Sequence, residues 1–170
     1  MEPHINRTSK AAHKAALLGV LAALALALSF AESVLLPALP LGIKPGLSNV
    51  AVMLASASLG LPAGLAIALV KAAFAGITRG LQALLLSGAG GLCSTLLAGC
   101  LLRRKPAWLS PIGIGMLGGV AHNLAQLCVA ALLLRAPGVF GLAPPLLVAG
   151  AAAGAITGLL LRLLRKTPPE

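Results

Sequence analysis

Residues 110–134, SPIGIGMLGGVAHNLAQLCVAALLL, form the continuous apolar stretch that decides the fold. The stretch is long enough to cross a bilayer as a helix, which takes about 20 predominantly apolar residues. Ser110 followed by Pro111 is typical of a helix start, because serine can cap free backbone N–H groups and proline fits the first helical position. These residues therefore predict a transmembrane helix from Ser110 to Leu134.

Three polar side chains interrupt the middle of this helix: His122, Asn123 and Gln126. They lie on adjoining parts of one face, because helical residues three and four apart are neighbours. His122 is roughly 18 Å from the helix start, which places it near the bilayer midplane. Polar groups at that depth are costly unless they have partners or line a wet cavity. The cluster therefore indicates either a ligand site or a hydrogen-bonded contact between helices.

The composition of the whole chain is that of a helical membrane protein. Its 170 residues are 59% hydrophobic and 9% charged, and the mean hydropathy is +1.02. No composition break divides the chain, so we expect one domain. The net charge of +10 does not indicate nucleic-acid binding, because only 2% of the residues are aromatic and the basic residues cluster at the ends of apolar runs.

The hydropathy pattern predicts an all-α bundle of six transmembrane helices. Proline and glycine residues separate the apolar runs, because they interrupt regular helix. A turn is predicted at 87–91, and a turn-rich outer loop at 135–145. The predicted spans are 15–36, a short 47–59, 62–86, 92–102, 110–134 and 146–161.

The basic residues predict the orientation of this bundle. Cytoplasmic loops of membrane proteins carry an excess of lysine and arginine. With both termini inside, only Lys44 and Arg135 fall in outer loops. The inner side then holds Arg7, Lys10, Lys14, Arg103, Arg104, Lys105, Arg162, Arg165 and Lys166. We therefore expect a cytoplasmic tail at 1–14, a transmembrane domain at 15–162, a cytoplasmic tail at 163–170, and a multi-pass location in the cytoplasmic membrane.

Charged residues inside the predicted spans are candidates for function. Glu32 is the only carboxylate away from the chain ends, and Lys71 and Arg79 share the third span. Charges at membrane depth usually pair or face a cavity. Glu32 is either an interfacial acid or a partner for one of the basic residues. Arg79 can also extend towards an interface, whereas Lys71 has no easy route to one.

Together these residues predict one basic, hydrogen-bonding cavity that opens to the outer side. Such a cavity suits a small anionic or strongly polar ligand with an apolar portion. The candidate binding residues are Glu32, Lys44, Asn49, Lys71, Arg79, His122, Asn123 and Gln126. No metal or cofactor is predicted. The three cysteines, Cys93, Cys100 and Cys128, lack metal-type spacing, and we expect them to be small buried core residues.

Motifs for catalysis are missing from the sequence. The chain has no aspartate, so it cannot build an aspartate-rich magnesium–diphosphate site of the kind used in prenyl transfer. It also has no phosphate-binding glycine loop that ends in Lys-Ser or Lys-Thr, and no nucleophile elbow. We therefore predict no catalytic residues.

Two stretches resemble a known family. The segments GIKPGLSNV (42–50) and SPIGIGMLGGVAHNLAQLCVA (110–130) are similar to small bacterial membrane proteins called Gx transporters, also labelled heptaprenyl diphosphate synthase component I. The similarity covers about residues 12–163. It implies a fold like that of the substrate-binding S components of energy-coupling-factor transporters, and a link to polyprenyl diphosphate metabolism.

Three functions are compatible with these observations. The first is a substrate-binding transport protein that takes a small anionic or isoprenoid-linked molecule from the outer side and needs a partner module for energy. The second is a non-catalytic membrane accessory subunit of heptaprenyl diphosphate synthase, with a soluble prenyl synthase as partner. The third is a structural membrane subunit in which the polar residues only hold helices together.

Overall fold

The computed structural model describes residues 3–35, 46–104 and 106–166. Within these ranges the regular structure is entirely helical, which confirms the all-α prediction. A short 3-10 helix at Pro137–Leu142 follows the fifth of the six α-helices. The α-helices are α1 Pro3–Leu35, α2 Asn49–Ser58, α3 Leu61–Arg79, α4 Leu81–Arg104, α5 Pro111–Leu134 and α6 Ala143–Lys166.

Five of the described helical segments are long and apolar enough to cross a bilayer, and α2 is not one of them. Its 10 residues extend about 15 Å, which is half of a typical hydrocarbon core of about 30 Å. The predicted count of six transmembrane helices therefore becomes five of spanning length and one short apolar helix. The spanning segments are Ser9–Leu35, Leu61–Arg79, Leu81–Arg104, Pro111–Leu134 and Pro137–Leu163.

Successive helices nevertheless run in alternating directions. Glu32 at the end of α1 bonds Ser48 at the start of α2, and Met53 further along α2 packs in one cluster with Leu102 near the end of α4. Gly158 near the end of α6 lies against Pro111 at the start of α5. The start of α1 and the end of α6 therefore lie at the same end of the bundle. That this end is cytoplasmic stays a prediction.

The boundary between α3 and α4 differs from the predicted one. The break falls at Gly80, whose φ of 90° is in the left-handed region that favours glycine. The predicted turn at 87–91 lies inside α4. Its small residues serve close packing instead: a methyl group at Gly88 or Gly91 would meet Ala72 or Ala68 of α3 at ordinary contact distance. Arg79 consequently stands at the end of a helix rather than within one.

Helices α5 and α6 pack closely against each other through glycines. A side chain at Gly115 or Gly119 would collide with backbone atoms of Gly154 or Gly150. Small residues at these positions allow the two backbones to approach each other, as is common between membrane helices. This contact fixes α5, which carries His122 and Gln126.

The outer surface of the bundle is apolar, as a bilayer requires. Large hydrophobic side chains such as Val20, Ile77 and Leu132 are exposed. The three cysteines also face outward, so the prediction that they are buried is wrong. Small residues such as Ala25, Ala55 and Ala130 fill the core instead.

Candidate functional site

Glu32 lies near the end of α1 and is 3% exposed. Its Oε1 accepts hydrogen bonds from the backbone N–H groups of Gly46, at 2.8 Å, and Leu47, and its Oε2 accepts one from the Ser48 hydroxyl at 3.1 Å. A buried carboxylate needs such donors, because taking a charge out of water is costly. Glu32 is therefore a buried acid that fixes the segment before α2.

Lys71 reaches the same segment from α3. Its amine donates to the Ser48 hydroxyl at 3.2 Å and to the side-chain oxygen of Asn49. At 2% exposure, Lys71 is among the most completely buried side chains of the described structure. Three elements, α1, α2 and α3, thus meet in one charged hydrogen-bond network. Both of these partners are neutral, and Lys71 also lines a cavity, which is one of the two predicted alternatives.

A cavity adjoins this network, and we refer to it as the polar cavity. Arg79, at the end of α3, lines it and lies close enough to Glu32 for electrostatic attraction. The volume of the cavity is about 10 Å³, which is close to the minimum for one water molecule. Its polar lining residues include Glu32, Ser48, Lys71, Arg79, His122 and Gln126.

His122 and Gln126 bring α5 to the polar cavity. The side-chain amide nitrogen of Gln126 lies 2.7 Å from His122 Nε2, and the imidazole is 2% exposed. His122 Nδ1 lies beside the backbone of Gly90 in α4. Any side chain at position 90 would overlap the imidazole, so the buried position of His122 requires glycine there.

Of the seven predicted residues that the structure describes, one does not join this arrangement. Asn123, adjacent to His122, is directed elsewhere: its amide donates to the backbone oxygen of Leu146 in α6. It therefore belongs to the helix contact. Lys44 lies outside the described residues. Asn49 bonds Lys71 but lines a second cavity.

Ser48 is a contributor that sequence reasoning did not identify. It occupies the N-cap position of α2, which is the usual reason for a serine before a helix, yet its side chain caps nothing. Instead it connects Glu32 and Lys71. The sequence does show a serine next to the predicted Asn49. Only the tertiary arrangement shows that this serine bonds Glu32 and Lys71 instead of capping α2.

Among the described residues, the charged groups at the polar cavity are two cations, Lys71 and Arg79, and one anion, Glu32. With these groups ionised, their sum is one positive charge. Because a low-dielectric interior strengthens electrostatic attraction, this excess favours an anionic group in the cavity. A phosphate or carboxylate can accept hydrogen bonds from the donors on Lys71, Arg79 and Gln126.

The fold and this site define a helical membrane protein with several spanning helices and a buried, positively charged polar cavity. Residues 21–164 match the family model described as heptaprenyl diphosphate synthase component I. The chain belongs to that family. Comparisons with curated proteins and with solved structures gave no match.

Proposed function

We propose that this chain is the membrane-embedded, non-catalytic component of a heptaprenyl diphosphate synthase. The observation that carries the proposal is the match of residues 21–164 to the component I family. The absence of aspartate from the sequence supports it, because the magnesium–diphosphate chemistry of prenyl transfer then has to come from a partner. That partner is a soluble prenyl synthase subunit.

In this role the polar cavity holds the anionic end of the diphosphate substrate or product. Arg79 and Lys71 supply the positive charge, and Gln126 supplies an amide donor at the same cavity. A cavity of about 10 Å³ has to widen to admit a phosphate group. The short α2 is the element whose movement achieves this, because its start forms part of the cavity wall.

Reconstitution tests the proposal. The chain is purified in detergent, mixed with the soluble prenyl synthase of the same cell, and assayed for complex formation and for heptaprenyl diphosphate synthesis. We expect the two proteins to co-elute and the synthesis rate to rise several-fold. Lack of co-elution together with an unchanged rate would contradict the proposal.

A pair of variants tests whether the increase in synthesis rate depends on the polar cavity. Arg79→Gln removes a cation of the polar cavity, whereas Arg135→Gln removes an exposed arginine after α5. We expect the first to lose the rate increase and the second to keep it. Equal behaviour of the two variants would show that the polar cavity is not involved.

The second candidate is a substrate-binding transport protein, and a specific observation favours it. Residues from α1, α3, α4 and α5 converge on one buried polar cavity, as they do in proteins that hold a small molecule at membrane depth. Such a protein takes an anionic or isoprenoid-linked molecule from the outer side and depends on a partner energising module. Uptake of labelled farnesyl diphosphate into proteoliposomes, dependent on that module and abolished by Lys71→Met, would support transport over the accessory role.

A further inference from the structure

A second cavity lies between α2, α4, α5 and α6, and we call it the apolar slot. Val52, Met53, Ala98, Gly118 and Ala153 form part of its wall. The slot has a volume of about 20 Å³, against about 10 Å³ for the polar cavity. It is narrow, so only a slender group can enter, and the helices must separate further as it does so.

Four hydroxyl side chains also line the slot, yet they do not make it polar. Each donates its proton to a carbonyl oxygen of its own helix, at 2.6 to 3.1 Å. A hydroxyl bonded in this way offers no donor to a ligand and exposes mainly its carbon atoms. The residues are Ser56, Ser94, Thr95 and Thr157. A hydrocarbon group can therefore occupy the slot without leaving buried donors unpaired.

The apolar slot and the polar cavity share a wall. Gly46 and Asn49 line the slot, whereas Ser48 and His122 line the polar cavity. The position of a Cβ atom on Gly46 would be 3.1 Å from the His122 ring and 2.9 Å from Asn49 Nδ2. This nitrogen is buried and has no hydrogen-bond partner among the described residues. A ligand atom that passes Gly46 would thus meet a free donor between the two compartments.

We propose that the two compartments bind one amphipathic anion, with its phosphate or diphosphate group in the polar cavity and its hydrocarbon chain in the apolar slot. The proposal rests on the proposed function and assigns the parts of the ligand to places in the fold. The single excess positive charge complements the head group, and the self-bonded hydroxyls make the slot suitable for a chain. Asn49 donates to an oxygen at the junction.

Binding measurements on the full-length protein in detergent test this assignment. The probes are farnesyl diphosphate and dimethylallyl diphosphate, which carry the same head group on a long and a short chain. Ala153→Leu fills the slot, and Ala152→Leu makes the same change at an exposed position of the same helix. We expect Ala153→Leu to weaken farnesyl diphosphate binding at least tenfold and to change dimethylallyl diphosphate binding less than threefold. Ala152→Leu should leave both affinities unchanged.

A second variant in the apolar slot controls for the possibility that Ala153→Leu misfolds. A methyl group at Gly118 would meet Ala98 at 3.5 Å, which is ordinary contact, so Gly118→Ala leaves the packing intact while it reduces the slot. We expect this variant to melt at the wild-type temperature and to lose affinity for the long probe only. Wild-type affinity in both slot variants would overturn the assignment.

The outcomes separate the assignment from the proposed function. If Arg79→Gln weakens both probes while the slot variants weaken neither, the anion site stands and the slot assignment fails. If neither probe binds the wild type, the anion site and the slot assignment both fail, and the reconstitution experiment alone decides the accessory role. Competition by phosphatidate identifies the source of the ligand: displacement at equal concentration indicates a bilayer lipid, and no displacement indicates a free prenyl diphosphate.

Discussion

The hydroxyl of Ser48 connects the carboxylate of Glu32 to the amine of Lys71. It donates to Glu32 Oε2 at 3.1 Å and accepts from Lys71 Nζ at 3.2 Å. Both bonds are charge-assisted, and such bonds are roughly twice as strong as neutral ones. One small side chain on the turn before α2 therefore couples α1 to α3 inside the membrane domain.

Replacing Ser48 by alanine is expected to destabilise the protein. The change removes both bonds and leaves two buried charged groups each one partner short, at a cost of about 1–3 kcal/mol. Thermal unfolding in detergent measures the effect as a lower melting temperature. Ser58→Ala, at the exposed end of α2, is the matched control and should melt with the wild type. Equal melting of the two variants would contradict the bridging role.

Neutralising Glu32 is expected to weaken the hydrogen-bond network that it forms with Ser48 and Lys71. Glu32→Gln keeps the shape of the side chain, but its amide nitrogen cannot accept the proton of Ser48. The buried Lys71 and the partly exposed Arg79 also lose their only nearby acid among the described residues. We expect a loss of about 1–3 kcal/mol, because the buried network loses a charged hydrogen-bond acceptor.

The double variant Glu32→Gln with Lys71→Met tests the coupling directly. Its loss of stability should be smaller than the sum of the two single losses, because the second change removes a charge that the first left unbalanced. Strict additivity, measured from the melting of all four proteins, would show that the two residues act independently.

Gly90 is expected to be intolerant of even a methyl group. A Cβ atom there would lie 2.7 Å from Nδ1 of the buried His122, and overpacking of this kind costs about 1–3 kcal/mol. Gly88→Ala, two residues earlier in α4, meets only Ala72 at 3.7 Å, and should gain slightly from the better helix propensity of alanine. Melting temperatures of the pair should therefore move in opposite directions. Similar shifts would mean that the imidazole can move aside.

Asn123 is expected to affect stability and not ligand binding. Its amide donates to the Leu146 backbone oxygen, and removing such a buried bond costs about 1–2 kcal/mol. Asn123→Ala should thus lower the melting temperature while farnesyl diphosphate binding, measured well below that temperature, stays at the wild-type level. Reduced affinity in the folded variant would place Asn123 in the ligand site.

The helical class and the position of α5 could be read from the sequence because both depend on local chemistry. The Ser110–Pro111 start is confirmed, since the serine side chain accepts from the N–H of Gly113 at 3.2 Å. The burial of Lys71 in α3 was also predictable, because a lysine far from both membrane interfaces needs a partner wherever the chain folds.

The incorrect predictions concern features that depend on tertiary packing. The glycines at 88, 90 and 91 predicted a turn, yet they lie in α4 because neighbouring helices approach them closely. Gly80, a single residue with no turn-like neighbours, is the true break. Adjacent side chains also diverge: His122 faces the polar cavity, while Asn123 faces α6. Helical spacing groups them, but only the positions of α4 and α6 separate them.

The one-residue link at Gly80 has a consequence for biogenesis. With no loop between them, α3 and α4 form a tight helical hairpin with Arg79 at its tip. We expect this pair to enter the bilayer as one unit. An epitope or protease site inserted at this point would disturb insertion itself, so topology mapping should use the connection between α5 and α6 instead.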